Sequence, residues 1–162
     1  MTKIKFAKAS PNAIVPSKDS GNGGYDMYAC FEAENIVIQP QKIVMIPTGI
    51  CSAFDDDYVM VAKERGSTGS KGMAVRCGIV DSSYRGEIFI AINNTGDKPI
   101  LITKEKDTTA LQDDYIVYPY TKAICQMLLL PVPKVEIEEI SYDELQAIKS
   151  TRMDGKLGSS GK

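Results

Sequence analysis

The chain has no histidine and no tryptophan among its 162 residues. Without histidine, Ser-His-Asp and Cys-His catalysis and every His-ligated metal site are excluded. Base chemistry falls to Asp, Glu, Lys or Tyr, and a divalent metal is expected to be a hard, oxygen-liking ion such as Mg2+. A basic block is also missing. Lys and Arg number 19 against 21 Asp and Glu, a net charge of −2, so binding to nucleic acid through an electrostatic footprint is not expected. A local Arg cluster can still bind a small anion. No two of the four cysteines (Cys30, Cys51, Cys77, Cys125) have C-x-x-C spacing, and each lies in or beside apolar residues. Buried free thiols in a reducing compartment are the simpler reading. Long apolar runs are absent: the aliphatic run Met127 to Leu130, for example, ends at Pro131, so no membrane span is expected. Met1 to Ala9 carries Lys3, Lys5 and Lys8 and no apolar h-region, unlike a signal peptide.

What is present is ordinary for one globular domain: 43% apolar and 25% charged residues. Short stretches with β-branched residues recur between Gly and Pro punctuation. Strands are expected at Lys3 to Ala7, Asn35 to Gln39, Lys42 to Ile46, Tyr58 to Lys63, Met73 to Val80, Glu87 to Asn93, Pro99 to Thr103, Lys122 to Leu130 and Lys134 to Ile140. Ser141-Tyr142-Asp143-Glu144 is a capping box opening one short helix through Ile148. Lys104 to Thr121 is expected to be a long surface loop with no assigned function. The Gly/Ser-rich end, Arg152 to Lys162, has little to bury and is expected to be flexible when nothing is bound. Together these mean an all-β sandwich, jelly roll or barrel.

Four stretches carry chemistry. In the first, Asp81 ends an apolar strand and opens the turn Asp81-Ser82-Ser83-Tyr84-Arg85-Gly86. A carboxylate there can act as a general base or hold metal-bound water, and Tyr84 can offer a flat wall to a sugar or base. An ordinary hairpin, with Asp capping the turn, fits as well. In the second, Arg65 to Gly72 combines one Arg, three hydroxyls and three Gly directly after a strand. That composition suits phosphate oxygens, although the P-loop spacing fails and a flexible loop is the other reading. In the third, Gln126 lies inside the apolar strand Lys122 to Leu130, where its amide needs a backbone or ligand partner. In the fourth, Arg152 to Gly161 repeats the phosphate-binding composition of the second, or is a plain tail.

In order, Gly24-Tyr25-Asp26-Met27, Arg65-Gly66-Ser67, Gly78 to Gly86, Ala123-Ile124-Cys125-Gln126 and Arg152 to Gly161 resemble the five motifs of the trimeric dUTPase family, spanning nearly the whole chain. The resemblance implies a distorted, dUTPase-like jelly roll. It implies a β domain over 1–150, with a C-terminal lid segment over 151–162. It also implies a cytoplasmic homotrimer with shared active sites, cleaving dUTP to dUMP and pyrophosphate with Mg2+, limiting uracil in DNA and supplying dUMP for thymidylate synthesis. Carried over residue by residue, Asp81 is the base that activates water, and Tyr84 packs on the deoxyribose. Asp26 is near the metal through water. Arg65, Gly66, Ser67 and Gln126 line the phosphates. Val75, Cys77 and Gly78 belong to the uracil-reading hairpin. Arg152, Leu157, Gly158, Ser159 and Ser160 belong to the lid. Three departures stand out: Gly66 where the family often has Ser, Val75 where many members have Asn, and Leu157 where Phe is usual. The rival readings are a dCTP deaminase-like enzyme, for which no Glu base stands between Met73 and Asp81, and a dUTP-sensing regulatory binding protein.

Overall fold

The computed structural model of the chain describes residues 3–76 and 78–150. The chain divides into two compact units, Met1–Val132 and Pro133–Lys162. The first holds twelve strands among the described residues: β1 (Lys5–Lys8), β2 (Tyr25–Met27), β3 (Asn35–Ile38), β4 (Ile43–Pro47), β5 (Ile50–Ala53), β6 (Tyr58–Lys63), β7 (Met73–Arg76), β8 (Ile79–Val80), β9 (Phe89–Asn94), β10 (Ile100–Thr103), β11 (Ile116–Pro119) and β12 (Cys125–Pro131). One helical turn, α1 (Gly66–Gly69), follows β6, and a 3-10 turn lies at Thr109–Leu111.

The strands form small sheets in the orders β1-β5, β11-β10-β3, β2-β12-β6-β8 and β4-β9-β7. Isoleucine and methionine fill the space between them. Ile38, Ile46, Ile50, Ile92, Ile100, Ile102, Met27, Met60, Met73 and Met127 are all fully buried. β-branched Ile is stiff at χ1 and packs well on a pleated surface, while unbranched Met fills the irregular gaps between differently oriented sheets. β10 pairs antiparallel with β3 and parallel with β11. A parallel neighbour needs a crossover of about a dozen residues or more. The segment between Thr103 and Ile116 supplies it, so part of the expected long loop is strand.

Other boundaries differ from the sequence reading. Met73 to Val80 is two strands: β7 pairs with β9, and β8 pairs with β6. The strand expected from Glu87 begins at Phe89. β2, β5 and β11 are short and punctuated by polar residues or Pro, and periodicity over so few positions does not distinguish them. The all-β class holds, with two short helices rather than one.

In the second unit the capping box forms as expected. α2 (Tyr142–Ala147) starts at Ser141, whose Oγ accepts the Glu144 N–H, while Glu144 Oε2 accepts the Ser141 N–H. The strand expected over Lys134 to Ile140 is absent. Its alternating Val135 and Ile137 are 75% and 92% exposed. A two-residue period selects a face but forms a strand only where a neighbour accepts the ladder.

Candidate functional site

The first group of site residues is assembled by β12, which lies between β2 and β6. Its register places Gln126 opposite Asp26 on one side and opposite Lys63 on the other. Beyond Lys63 the chain turns at Glu64-Arg65 into α1. Glycines at both ends of a four-residue segment oppose helix, yet the turn forms because Thr68 is buried and bonds back. Its Oγ1 accepts the Arg65 N–H at 3.0 Å and donates to the Arg65 carbonyl at 3.1 Å.

Arg65 is thereby aimed across β12. Its Nε lies 2.9 Å from Asp26 Oδ1, and its Nη1 donates to the Ala123 carbonyl at 3.4 Å. Gln126 Nε2 donates to the Glu64 carbonyl at 2.8 Å, so the amide inside the apolar strand has a backbone partner. Gly24 fits against that side chain only because it lacks a Cβ, which would stand 2.7 Å from Gln126 Oε1. Gly66 and Ser67 are exposed on α1. A Cβ at Gly66 would meet open space, so the missing family hydroxyl is not a steric necessity. Beneath this surface, burial is the main cause that pushes the Cys125 thiol up to about 12, with Asp26 adding to it against the opposing Arg65. Burial likewise raises Tyr118, whose hydroxyl donates to the Ala123 carbonyl at 2.6 Å. One guanidinium, one carboxylate, a hydroxyl and a glycine-rich turn thus share one part-exposed surface, a combination suited to phosphate oxygens.

The second group is the Asp81 turn. Val80 pairs with Met60, then the chain leaves β8 and closes with the Tyr84 N–H on the Asp81 carbonyl at 3.1 Å. Arg85 Nη1 fastens the turn by donating to the Ser82 and Tyr84 carbonyls at 2.5 and 3.0 Å. The Tyr84 hydroxyl donates to the Glu87 carbonyl at 2.9 Å, and Glu87 Oε1 accepts the Gly49 N–H at 2.8 Å. An open cleft of about 250 Å³ includes Met45, Ile79, Asp81, Tyr84, Glu87 and Phe89 in its lining. A desolvated Asp81 at the end of a buried strand is not what the single chain presents. Asp81 is exposed, Ile79 is 63% exposed and Tyr84 46%. The cause is β8 itself, a two-residue edge strand with no strand paired on its outer side among the described residues.

These groups do not meet within one chain. Asp81 follows the residue opposite Met60, in the middle of β6, whereas Arg65 lies beyond its end. Along the backbone, Met60 and Arg65 are five residues apart, roughly 16 Å at about 3.3 Å per residue. Between them lies the expected base reader. The Gly78 carbonyl accepts the Ala62 N–H at 2.6 Å, and a Cβ on Gly78 would stand 2.7 Å from the Ala62 carbonyl oxygen. The Val75 N–H donates to Glu64 Oε1 at 2.7 Å. Because β7 and β8 pair with different strands, this reader is not a hairpin ladder. Cys77, Arg152, Leu157, Gly158, Ser159 and Ser160 lie outside the described residues. The sequence reading missed Glu64 and Arg85 as organisers of the two groups. Their only sequence signal is that Glu64 adjoins the Arg65 motif and Arg85 lies inside the Gly78 to Gly86 motif.

Three comparisons with known proteins bear on this arrangement. A family model described as dUTPase matches residues 11–110. The deoxyuridine 5'-triphosphate nucleotidohydrolase of Gloeobacter violaceus is 29% identical over 152 residues, covering 92% of this chain and 89% of its own. That of Hydrogenobaculum sp. is 29% identical over 163 residues, covering 98% of both. Among solved structures, the Staphylococcus bacteriophage 80alpha dUTPase with dUPNHPP superposes with a TM-score of 0.75 at 21% identity over 99% of both chains. A dUTPase from phage phi11 of S. aureus, described with a structural Mg(II) ion, has a TM-score of 0.67 at 19% identity, covering 85% of this chain and 96% of its own.

Proposed function

The chain belongs to the dUTPase family, and on that premise we propose how it hydrolyses dUTP to dUMP and pyrophosphate. The reaction limits uracil incorporation into DNA and supplies dUMP for thymidylate synthesis. The carrying observation is that the Asp81 turn and the Arg65 cluster are each formed in one chain yet are set apart along β6, with Asp81 exposed. Each active site is therefore shared in a homotrimer, with the Asp81 turn of one subunit closing on the Arg65 cluster of another. The second chain covers the outer face of β8 and withdraws Asp81 from bulk water.

In that site Asp81 accepts a proton from water as the oxygen attacks the α-phosphorus, and the bond to the bridging oxygen of the leaving pyrophosphate breaks. Arg65, oriented by Asp26, and Ser67 hold phosphate oxygens, while Gln126 keeps the turn at Glu64 in place beside them. Tyr84 packs on the deoxyribose, where a 2′-hydroxyl has no room. Val75, Cys77 and Gly78 read uracil through backbone groups. Asp26 would hold Mg2+ through water: one carboxylate oxygen faces Arg65, and the other is a hard donor suited to a hydrated ion. The chemistry such an ion would supply there is neutralisation of triphosphate charge. The motif resemblance assigns 151–162 the role of a lid segment, with Arg152, Gly158, Ser159 and Ser160 serving the terminal phosphate and Leu157 the base. No described helix is long and apolar enough to cross a membrane. The three described cysteines are free thiols, which supports a cytoplasmic location.

Subunit complementation tests the shared site. Asp81→Asn and Arg65→Ala are each expected to be nearly inactive alone. After co-refolding, mixed trimers should regain part of the parent's pyrophosphate release, because some sites draw both intact residues from different chains. Light scattering establishes the trimer. An active monomer, or mixed trimers without any regained activity, rejects the shared site.

A further inference from the structure

We propose that Glu64 is a positioning residue that fixes the base-reading strand against the phosphate cluster, coupling the two halves of substrate recognition. The inference rests on the assignments of Val75 and Arg65 made above. Glu64 directly precedes Arg65 and touches three elements. Its Oε1 accepts the Val75 N–H of β7 at 2.7 Å, and its backbone carbonyl accepts Gln126 Nε2 of β12 at 2.8 Å. Its Oε2 lies 3.1 Å from Lys63 Nζ at the end of β6. β6 and β7 lie in different sheets, and the Glu64 carboxylate bridges them.

The physical need for this bridge comes from β7. It is an edge strand, paired on one side with β9. The Val75 N–H points to the unpaired side, where a part-buried donor needs an acceptor. A carboxylate gives a short, charge-assisted bond with more directional hold than a neutral acceptor. Partial burial raises the Glu64 pKa, but its own amide, the Val75 amide and Lys63 outweigh that and hold it below the usual carboxylate range. The group is therefore ionised at neutral pH. Its side chain is only 26% exposed, so the bond is sheltered from competing water. A shift of β7 away from Glu64 would move the uracil reader relative to Arg65, and misplacement of about 1 Å costs up to ~10²-fold in rate.

The test compares Glu64→Gln and Glu64→Met in the full-length protein. The Gln amide oxygen still accepts from Val75, whereas Met has similar length and no comparable acceptor. Glu64→Gln should stay within about fivefold of the parent in kcat/KM for dUTP. Glu64→Met should lose roughly 10- to 10²-fold. It should lose less with dCTP, whose base is already poorly read, so the dUTP-to-dCTP preference falls. A Met variant that melts lower but keeps the parent's preference makes Glu64 a stabilising tie alone and overturns the proposal. If Glu64→Met does not fold, hydrogen exchange at the Val75 amide of the parent decides. Slow exchange, accelerated in Glu64→Gln, supports the bridge, and free exchange in the parent overturns it. If the parent does not turn over dUTP, the family-based assignment fails, and the Val75 exchange still reports on the bridge separately.

Discussion

The Arg65 cluster and the Asp81 turn are built in opposite ways. The cluster is finished within one chain: an ion pair, a buried threonine, an amide bonded to backbone and a glycine cut to fit. The turn is rigid, fastened by Arg85 and Tyr84, but its carboxylate and ring face outward. Charged phosphate tolerates a wet, half-exposed site, because guanidinium and backbone donors bind it competitively with water. A carboxylate base needs to be aimed at one water and shielded from others, and one chain of this shape does not supply the shield. In the shared site proposed above, binding is local to the subunit and basicity depends on assembly.

The largest effect should come from the outward half. Asp81→Asn keeps size and hydrogen bonding but removes basicity, so steady-state turnover should fall roughly 10²- to 10⁴-fold while dUTP binding by calorimetry persists. Near-normal turnover would remove Asp81 from the mechanism and dissolve the contrast. Next is Asp26→Asn. Without its charge Arg65 loses its orienting partner, and kcat/KM should drop roughly 10- to 10²-fold with a largely unchanged melting temperature. A fall in melting temperature with intact kinetics would make the ion pair structural. Tyr84→Ala should cut the preference for dUTP over UTP by about tenfold, read from paired kcat/KM values. If UTP is still rejected equally, the ring does not face the sugar. The smallest effect is a gain. Gly66→Ser places a hydroxyl in open space on α1, and one added phosphate hydrogen bond, about 1 kcal/mol, should lower KM several-fold.

The parts legible in the sequence were those with strong local rules. Tyr58 to Lys63 became β6 without a shift, and the capping box at Ser141 and Glu144 formed as written. The site motifs were legible through their resemblance to a family's motifs in order along the chain, whereas the long-range contacts that bring Asp26, Arg65 and Gln126 together were not. What stayed hidden depends on distant partners. α1 is helical because Thr68 is buried, against the preference of its glycines. β7 and β8 part company because each finds a different neighbour. The segment from Lys134 to Ile140 alternates like a strand and lacks only a ladder to join. The exposure of Asp81 was also beyond reach, since a sequence pattern specifies a strand end but not what lies over it.

The pairing of β2 with β12 has a consequence for the order in which the protein matures. Met27 meets Cys125 across about a hundred residues of sequence. At about 5–20 residues per second on the ribosome, Asp26 waits roughly 5–20 s for the strand that holds it. Arg65 is synthesised long before Gln126 and cannot be set against its acid until β12 arrives. Such distant closures are slow in a refolding chain as well. The phosphate cluster, complete in the finished subunit, is therefore among the last features to form, and a chain halted before residue 125 would carry the residues of the Asp81 turn but not the strand that completes the Arg65 cluster.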